Sequence, residues 1–134
     1  MRFNHVTLIV TDLERSKAFY RTLGLTQIVD APPRYARFTF PRGDATLSVE
    51  VKGETTSAHS GRAELYFECD AVDEAVAALR AKGVAFDEDP TDMPYRWRVA
   101  RLRDPDGHEL RLYSEPADYR LNPPWKLQEP EATR

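Results

Sequence analysis

The chain has 134 residues, of which 41% are hydrophobic and 31% charged, and its formal net charge is -3 at pH 7. This length allows one compact domain, or two half-size units that share a core, and the composition is that of an ordinary globular protein rather than a disordered chain. The charge balance carries no sign of nucleic-acid binding, and no run of about 18 apolar residues predicts a membrane span.

The chain opens with MRFNHVTLIV, whose apolar run is too short for a secretory signal and has no small-residue cleavage site after it. We therefore expect a cytoplasmic protein that does not contact a membrane. The single cysteine, Cys69, excludes an intrachain disulfide and a cysteine-zinc framework.

The first half of the chain predicts the element order β-α-β-β-β. Residues 5–10, HVTLIV, are rich in β-branched residues and predict a strand. Asp12 is a suitable N-cap for the helix predicted over residues 13–23, which Gly24 ends. Alternation and turn residues predict three further strands, at residues 25–30, 35–40 and 45–51.

After a polar linker over residues 54–62, the second half repeats this order. Residues 63–69 predict a strand, and apolar residues at helical spacing from Val72 onward predict a helix that Gly83 ends. The remaining strands are predicted at residues 84–89, 95–103 and 108–113.

The two halves can be superposed on each other. His5 and Glu64 begin equivalent segments, and PRGDATLSV matches DPDGHELRL in a way that places Ser48 on Arg111. This pattern indicates an internal duplication. The sequence therefore predicts an α+β fold built from two βαβββ modules.

The duplication also predicts the domain organisation. Module one covers residues 1–53 and module two residues 63–116, and together they form one domain over residues 1–116. Residues 117–134 lose the periodicity and form a C-terminal tail. We expect Trp125 in this tail either to pack on its own sheet, or to cross to a partner subunit or cover a cavity.

Strand alternation separates the side chains into an apolar face, which should lie under the helices, and a polar face. The polar face is either a solvated outer surface or, if the duplicated sheets curl, the lining of a cleft. In the second case His5, Glu50 and Glu64 could converge, and one imidazole with two carboxylates suits Zn, Fe, Mn, Ni or Co. A lone histidine on a strand also commonly serves structure alone. We expect His59 and His108 to be exposed and without a role.

The segment 95–103, YRWRVARLR, leaves its orientation open. If Tyr95, Trp97 and Val99 face the cleft, they form an apolar wall for an aromatic ligand. If they face the helices, Arg96 and Arg98 face the cleft and favour an anion. Periodicity does not choose between the two, because both faces of the strand carry arginine.

Three stretches, HVTLIVTDLERSKAFYRTLGL, YFECDAVDEAVAALRAKGV and DPDGHELRLY, resemble the vicinal oxygen chelate superfamily. This superfamily includes glyoxalase I, extradiol dioxygenases, and bleomycin and fosfomycin resistance proteins, and the resemblance covers roughly residues 3–115. It implies that two βαβββ modules form a curved mixed sheet with a U-shaped cleft, frequently in a homodimer. In the superfamily's enzymes, a divalent metal in that cleft chelates adjacent substrate oxygens.

The resemblance also implies where metal ligands would stand. His5 matches the first ligand position. The second falls on Ser48, for which Glu50, one pleat further along the strand, could substitute. The third falls on Glu64. The fourth falls on Arg111, and an arginine cannot ligate a cation.

One function follows if the cleft is metal-free. Arg111 then pairs with Glu64 or Glu50, which offsets the cost of placing carboxylates in a partly dry cleft. The protein would bind a small molecule in a cleft lined by these residues and His5, as in the antibiotic-sequestering branch. Its ligand contacts would come from four side chains: Arg111, Ser48, Tyr66 and Trp97.

The alternative function is a metal-dependent lyase, isomerase or dioxygenase. Here His5, Glu50 and Glu64 hold a divalent metal (Zn, Fe, Ni or Mn), and Arg111 receives a substrate carboxylate or phosphonate. Tyr66, Tyr113 or a glutamate that does not bind the metal would act as acid or base, and Glu64 and Tyr113 are the predicted catalytic residues.

Overall fold

Two four-stranded mixed sheets, one from each half of the chain, form the fold in the computed structural model, which describes residues 1–53 and 63–127. The predicted linker 54–62 and the end of the tail lie outside the described residues. Module one contains β1 (His5–Ile9), α1 (Leu13–Thr22), β2 (Thr26–Ala31), β3 (Tyr35–Thr39) and β4 (Thr46–Glu50). Its strand order is β1-β4-β3-β2, in which β1 runs parallel to β4 and the other pairs are antiparallel.

Module two repeats this arrangement with the strand order β5-β8-β7-β6. Its elements are β5 (Glu64–Glu68), α2 (Val72–Ala81), β6 (Glu88–Asp92), β7 (Arg98–Arg103) and β8 (Glu109–Ser114). β5 runs parallel to β8, and the other pairs are antiparallel. The predicted α+β fold of two βαβββ modules is confirmed.

The strand register matches the duplication residue by residue. Ser48 pairs with Thr7 in module one, and Arg111 pairs with Tyr66 in module two. The equivalence of Ser48 and Arg111 predicted from the sequence therefore holds in three dimensions.

Helix α1 begins and ends as its sequence predicts. The side chain of Asp12 accepts a hydrogen bond from the backbone N–H of Arg15 at 3.0 Å, which satisfies one of the free donors at the helix start. Gly24 follows the helix with φ 108°, a conformation that favours glycine over residues with a side chain.

The core is one cluster of side chains from both modules. It lies between the helices and the apolar faces of the sheets, and the side chains of Phe38, Leu47, Leu102 and Leu110 in it are fully buried. Burying one such side chain contributes roughly 1.5 to 3 kcal/mol. Because the alternating apolar residues point into this core, the polar residues of the same strands lie on the opposite, open face.

Two strands of module two begin later than predicted. β6 begins at Glu88 rather than residue 84, and β7 begins at Arg98 rather than residue 95. The residues before β7 form the turn that leads into it, in which Met93 N–H donates to the Trp97 carbonyl at 2.8 Å and Arg96 has φ 71°. Pro90 lies in β6, an edge strand that needs no donor there.

None of the helices in the described ranges combines the length and the apolar character that a membrane crossing needs.

Candidate functional site

The buried arginine on β8 organises the open face of module two. The Arg111 side chain is only 3% exposed, and its Nη2 donates to Glu109 Oε1 at 2.8 Å and to Glu64 Oε2 at 3.3 Å. Its Nη1 donates to the carbonyl of Leu110 at 3.1 Å. Of the two partners that the metal-free interpretation offers Arg111, Glu64 and Glu50, the structure has Glu64, with Glu109 as a second carboxylate.

The charge state of this cluster follows from its geometry. Burial favours the neutral form of Arg111, but the hydrogen bond to Glu109 and the charges of both carboxylates outweigh it, so the pKa of Arg111 is raised. Glu64 also accepts a hydrogen bond from the Tyr66 hydroxyl at 3.1 Å. Burial, and then this bond, raise the pKa of Tyr66. Glu64, one of the two predicted catalytic residues, is thus already engaged by two donors.

His5 lies at the edge of module one, and threonine hydroxyls engage both of its ring nitrogens. Nδ1 contacts Thr46 Oγ1 on the neighbouring strand, and Nε2 lies 3.1 Å from Thr7 Oγ1. A metal ligand must offer a nitrogen lone pair, so binding a cation would break one of these hydrogen bonds.

The edge strands β1 and β5 border a cavity of about 400 Å³. His5 and Thr46 line it from module one, and Glu64 and Tyr66 from module two. The structure therefore does bring His5 and Glu64 to one cavity, as the sequence predicts.

Two of the predicted site residues lie elsewhere. Glu50 pairs with Ile9 at the far end of β4, four residues beyond Thr46, which is about 13 Å along a strand. Ser48 has no exposed surface, and its hydroxyl is hydrogen-bonded to that of Tyr35, so it does not offer a ligand contact. Glu50 faces the same side as Ser48, but the length of the strand separates it from His5.

The donor set does not fit a metal ion. Within residues 1–53 and 63–127, no three histidine, cysteine, aspartate or glutamate side chains come together in a way that could hold one. The predicted ligand set of His5, Glu50 and Glu64 is therefore not assembled, because Glu50 lies at the wrong end of β4. The buried guanidinium of Arg111 stands at the position where the resemblance places a fourth metal ligand.

The segment before β7 turns its aromatic side chains to the open face. Trp97 stacks on Tyr113 with ring centroids 4.2 Å apart and planes 16° apart, and Tyr66 packs edge-on against both rings. Tyr95 contacts the Trp97 ring at 5.8 Å. We call Tyr66, Tyr95, Trp97 and Tyr113 the aromatic quartet.

The arginine at the start of β7 points away from the quartet. Arg98 forms two hydrogen bonds, of 2.7 and 3.1 Å, with the carboxylate of Asp73 on α2, which places it on the helix side. Of the two orientations left open by the sequence, the apolar wall is therefore the one adopted.

The quartet lines a second cavity, of about 610 Å³, which shares Tyr66 with the first. This volume lies within the range of small-molecule sites. Residues of the C-terminal tail line the same cavity: Tyr119, Arg120, Pro123 and Trp125. Tyr113, the second predicted catalytic residue, is packed beneath Trp97, and burial raises its pKa. It serves here as part of a wall.

A buried polar cluster in the DPDGH turn was missed at the sequence level. His108 was predicted to be exposed, but it is 5% exposed and its Nδ1 lies 2.8 Å from Asp104 Oδ2. Asp104 also accepts a hydrogen bond from the hydroxyl of Tyr20 on α1 at 2.6 Å. This turn therefore joins module two to the first helix of module one. His59 lies outside the described residues.

The second aspartate of the turn also connects module two to module one. Asp106 Oδ1 accepts hydrogen bonds from the backbone N–H and the hydroxyl of Thr11, at 3.0 and 2.6 Å. An Asp-Pro-Asp-Gly run signals a turn whose aspartates bond to nearby backbone groups, and Asp104 does this. That signal does not reveal the contacts with Tyr20 and Thr11, because these lie in the other module.

Comparisons with known proteins agree with this architecture. The family model described as Glyoxalase/Bleomycin resistance protein/Dioxygenase superfamily matches residues 2–112. A glyoxalase/bleomycin resistance protein/dioxygenase from Nocardioides is 25% identical in sequence and has a TM-score of 0.75, with 95% of this chain and 89% of that chain covered. No curated protein matches.

Two further solved structures are of proteins with more specific names. TnmS3, an antibiotic binding protein from Streptomyces sp. CB03234, is 27% identical with a TM-score of 0.73, and the match covers 87% of this chain and 97% of that one. Lactoylglutathione lyase from Agrobacterium tumefaciens is 20% identical with a TM-score of 0.69, over 84% of this chain and 92% of that one. At 20% identity, the likeness to the lactoylglutathione lyase concerns the fold alone.

Proposed function

The chain belongs to the glyoxalase/bleomycin resistance protein/dioxygenase superfamily, and we propose that it binds a planar aromatic small molecule in a cleft that needs no metal ion.

The observation that carries this proposal is the aromatic quartet. Four rings on the open face of module two border a cavity of about 610 Å³. Aromatic faces and edges attract other aromatic rings in stacked or edge-on arrangements, and they bury a large apolar area at the same time. A flat ring system is the ligand for which such a wall is best suited.

The chemistry of the charged residues supports a site without a metal. The positive charge that a cation would supply to the carboxylates comes here from Arg111, which is bonded to Glu64 and Glu109. The guanidinium also makes the carboxylates poor ligands for a metal ion, because the ion would have to displace the guanidinium from them.

A relative gives independent support for a binding role. TnmS3, which is 27% identical to this chain, is an antibiotic binding protein. A binding protein needs no residue arranged to move a proton, and the contacts of Glu64 with Tyr66 and Arg111 and of Tyr113 with Trp97 are compatible with such a role.

A planar aromatic probe tests the ligand class. We expect anthraquinone-2-sulfonate to bind the wild type in equilibrium dialysis and to bind Trp97→Ala about tenfold more weakly, since a stacked ring with its buried area contributes roughly 1.4 kcal/mol. The matched control is Tyr35→Leu, which removes an aromatic ring from the open face of module one. Unchanged affinity in Trp97→Ala would contradict the proposal.

Metal analysis tests the second part of the proposal, that the cleft needs no metal ion. Protein purified without a nickel column should contain far less than one metal ion per chain, also after addition of Fe, Zn, Ni and Mn salts followed by desalting. Full occupancy by any of these metals, lost in His5→Ala, would instead establish the metal-dependent alternative.

A further inference from the structure

The described part of the C-terminal tail, residues 117–127, folds back against module two through a series of turns. Tyr119 N–H donates to the Pro116 carbonyl at 3.0 Å, and Lys126 N–H donates to the Pro123 carbonyl, also at 3.0 Å. The Tyr119 ring is 8% exposed, and the guanidinium of Arg96 lies 5.5 Å from its centroid. Tyr119 therefore anchors the segment next to the turn that carries Trp97.

Trp125 is anchored but not buried. Its ring packs edge-on against Tyr119 with centroids 6.3 Å apart, yet its side chain is among the exposed large hydrophobic groups, at 64% exposure. It lines the same cavity as the aromatic quartet. An indole held at the rim of an aromatic cavity leaves apolar surface available for a ligand ring.

Arg120 adds charge to this wall. Of the described residues that line the cavity, it alone is charged. It lines the cavity together with Tyr113, and its charge lowers the pKa of that hydroxyl against the larger, raising effect of burial. A guanidinium at the rim of an apolar cavity attracts an anionic group and can bind it with two hydrogen bonds.

We infer that the C-terminal segment is the second wall of the binding site and selects a planar aromatic compound that carries an acidic group. Trp125 packs against the ring system from the side opposite the aromatic quartet, and Arg120 binds the acidic group at the rim. This inference rests on the proposed function, since it assigns to the same cavity a ligand class and two recognition residues.

The arrangement explains why an exposed tryptophan follows a proline-rich stretch. With only the quartet present, a flat ligand would bury one of its faces and leave the other in water. A second aromatic wall buries both faces, which increases the apolar area removed from water. Because Tyr119 already anchors the segment, less conformational entropy is lost when this wall becomes ordered around a ligand.

Two probes separate the roles of the two residues. Equilibrium dialysis of the 134-residue chain compares anthraquinone-2-sulfonate with the uncharged 2-(hydroxymethyl)anthraquinone. We expect Trp125→Ala to weaken both probes about tenfold. Arg120→Gln should weaken only the sulfonate, about threefold to fivefold, because the site is partly open to solvent. Leu127→Ala, an exposed tail residue that does not line the cavity, is the control and should change neither.

Fluorescence gives a second readout, because Trp97 and Trp125 are the only tryptophans in the chain and both line the cavity. In Trp97→Phe, the probe should quench the emission of Trp125. Probe binding that depends on Trp97 but not on Trp125 would overturn this inference and leave the proposed function standing. Failure of the wild type to bind either probe would overturn both. Loss of a dimer in Trp125→Ala with unchanged probe affinity would assign the residue to a subunit contact instead.

Discussion

The two modules share a topology and a register, yet their open faces carry different chemistry. In module one, His5 and its threonine neighbours form one group of hydrogen bonds, and Ser48 with Tyr35 forms another. In module two, the positions equivalent to His5 and Ser48 hold Glu64 and Arg111, and the hydroxyl of Tyr66, a member of the aromatic quartet, donates to Glu64. The first face satisfies its own polar groups, whereas the second borders an aromatic cavity.

The difference shows which equivalent positions can carry different residues in the two modules of a duplicated fold. The apolar faces of both modules enter one core, so a change there disturbs the packing of the whole molecule. The open faces do not contribute to that core. The open faces can therefore differ between the modules: Ser48 of module one bonds to Tyr35, whereas the equivalent Arg111 of module two bonds to Glu64 and Glu109.

The largest effect is expected where the two modules are joined. Asp104→Ala removes the acceptor for the Tyr20 hydroxyl and leaves that buried group without its partner. We expect a loss of about 3 kcal/mol in the free energy of unfolding, measured with urea. Asp70→Ala removes an exposed aspartate and should cost less than about 0.5 kcal/mol. Equal stability of the two variants would show that the turn does not hold the modules together.

The same junction should make stability depend on pH. Burial opposes the charged form of Asp104, but hydrogen bonds from His108 and Tyr20 outweigh it, so its pKa is lowered in the folded protein. Its contribution is then complete above the unfolded-state pKa of about 3.9 and is lost as the pH falls through the lower folded-state pKa. In acid unfolding curves the wild type should lose stability below pH 4 more steeply than Asp104→Asn. Parallel curves would contradict this.

A matched pair of substitutions at the equivalent strand positions sharpens the comparison of the open faces. Arg111→Leu leaves Glu64 and Glu109 without their shared cation and should cost about 2 to 3 kcal/mol, less than for a fully buried pair since both carboxylates are partly exposed. Ser48→Ala removes one hydrogen bond and should cost about 1 kcal/mol. Urea unfolding measures both, and a reversed order would refute the assignment of Arg111 as the organising cation.

The smallest effect concerns the aromatic stack. A double-mutant cycle with Trp97→Ala and Tyr113→Ala should give a coupling free energy of about 1 kcal/mol, the value for a stacked pair beyond its area burial. A cycle between Trp97 and Tyr35, which lies in module one, provides the reference and should give a coupling near zero. Coupling of similar size in both cycles would mean that the stack has no special role.

Much of the fold could be predicted from the sequence, because the patterns that specify it are local. A period of two assigns Leu47 and Ser48 to opposite faces, and Asp12 and Gly24 have the chemistry of helix ends. The site was harder to predict. Strand alternation placed Glu50 on the same face as His5, but it says nothing of how far apart two residues lie along paired strands.

The resemblance to a metal-binding family drew attention to the ligand positions rather than to the aromatic rings. The sequence marks Arg111 as the exception to that pattern and offers Glu64 or Glu50 as its partner, and the structure pairs it with Glu64. His108 was misjudged, because a histidine in a turn is usually exposed. Here the turn packs against helix α1, and only this contact buries His108 beside Asp104.

The sequence by itself determined the duplication, the order of the elements and the apolar faces, since each depends on periodicity and on turn residues that act over a few positions. Only the tertiary structure decided that Trp97 faces the cavity, that Arg111 bonds two carboxylates and that Trp125 of the tail lines the same cavity as the quartet. A strand displaced by one residue shows its other face, so orientation depends on register. Register is set by pairing with distant strands, and no local pattern records it.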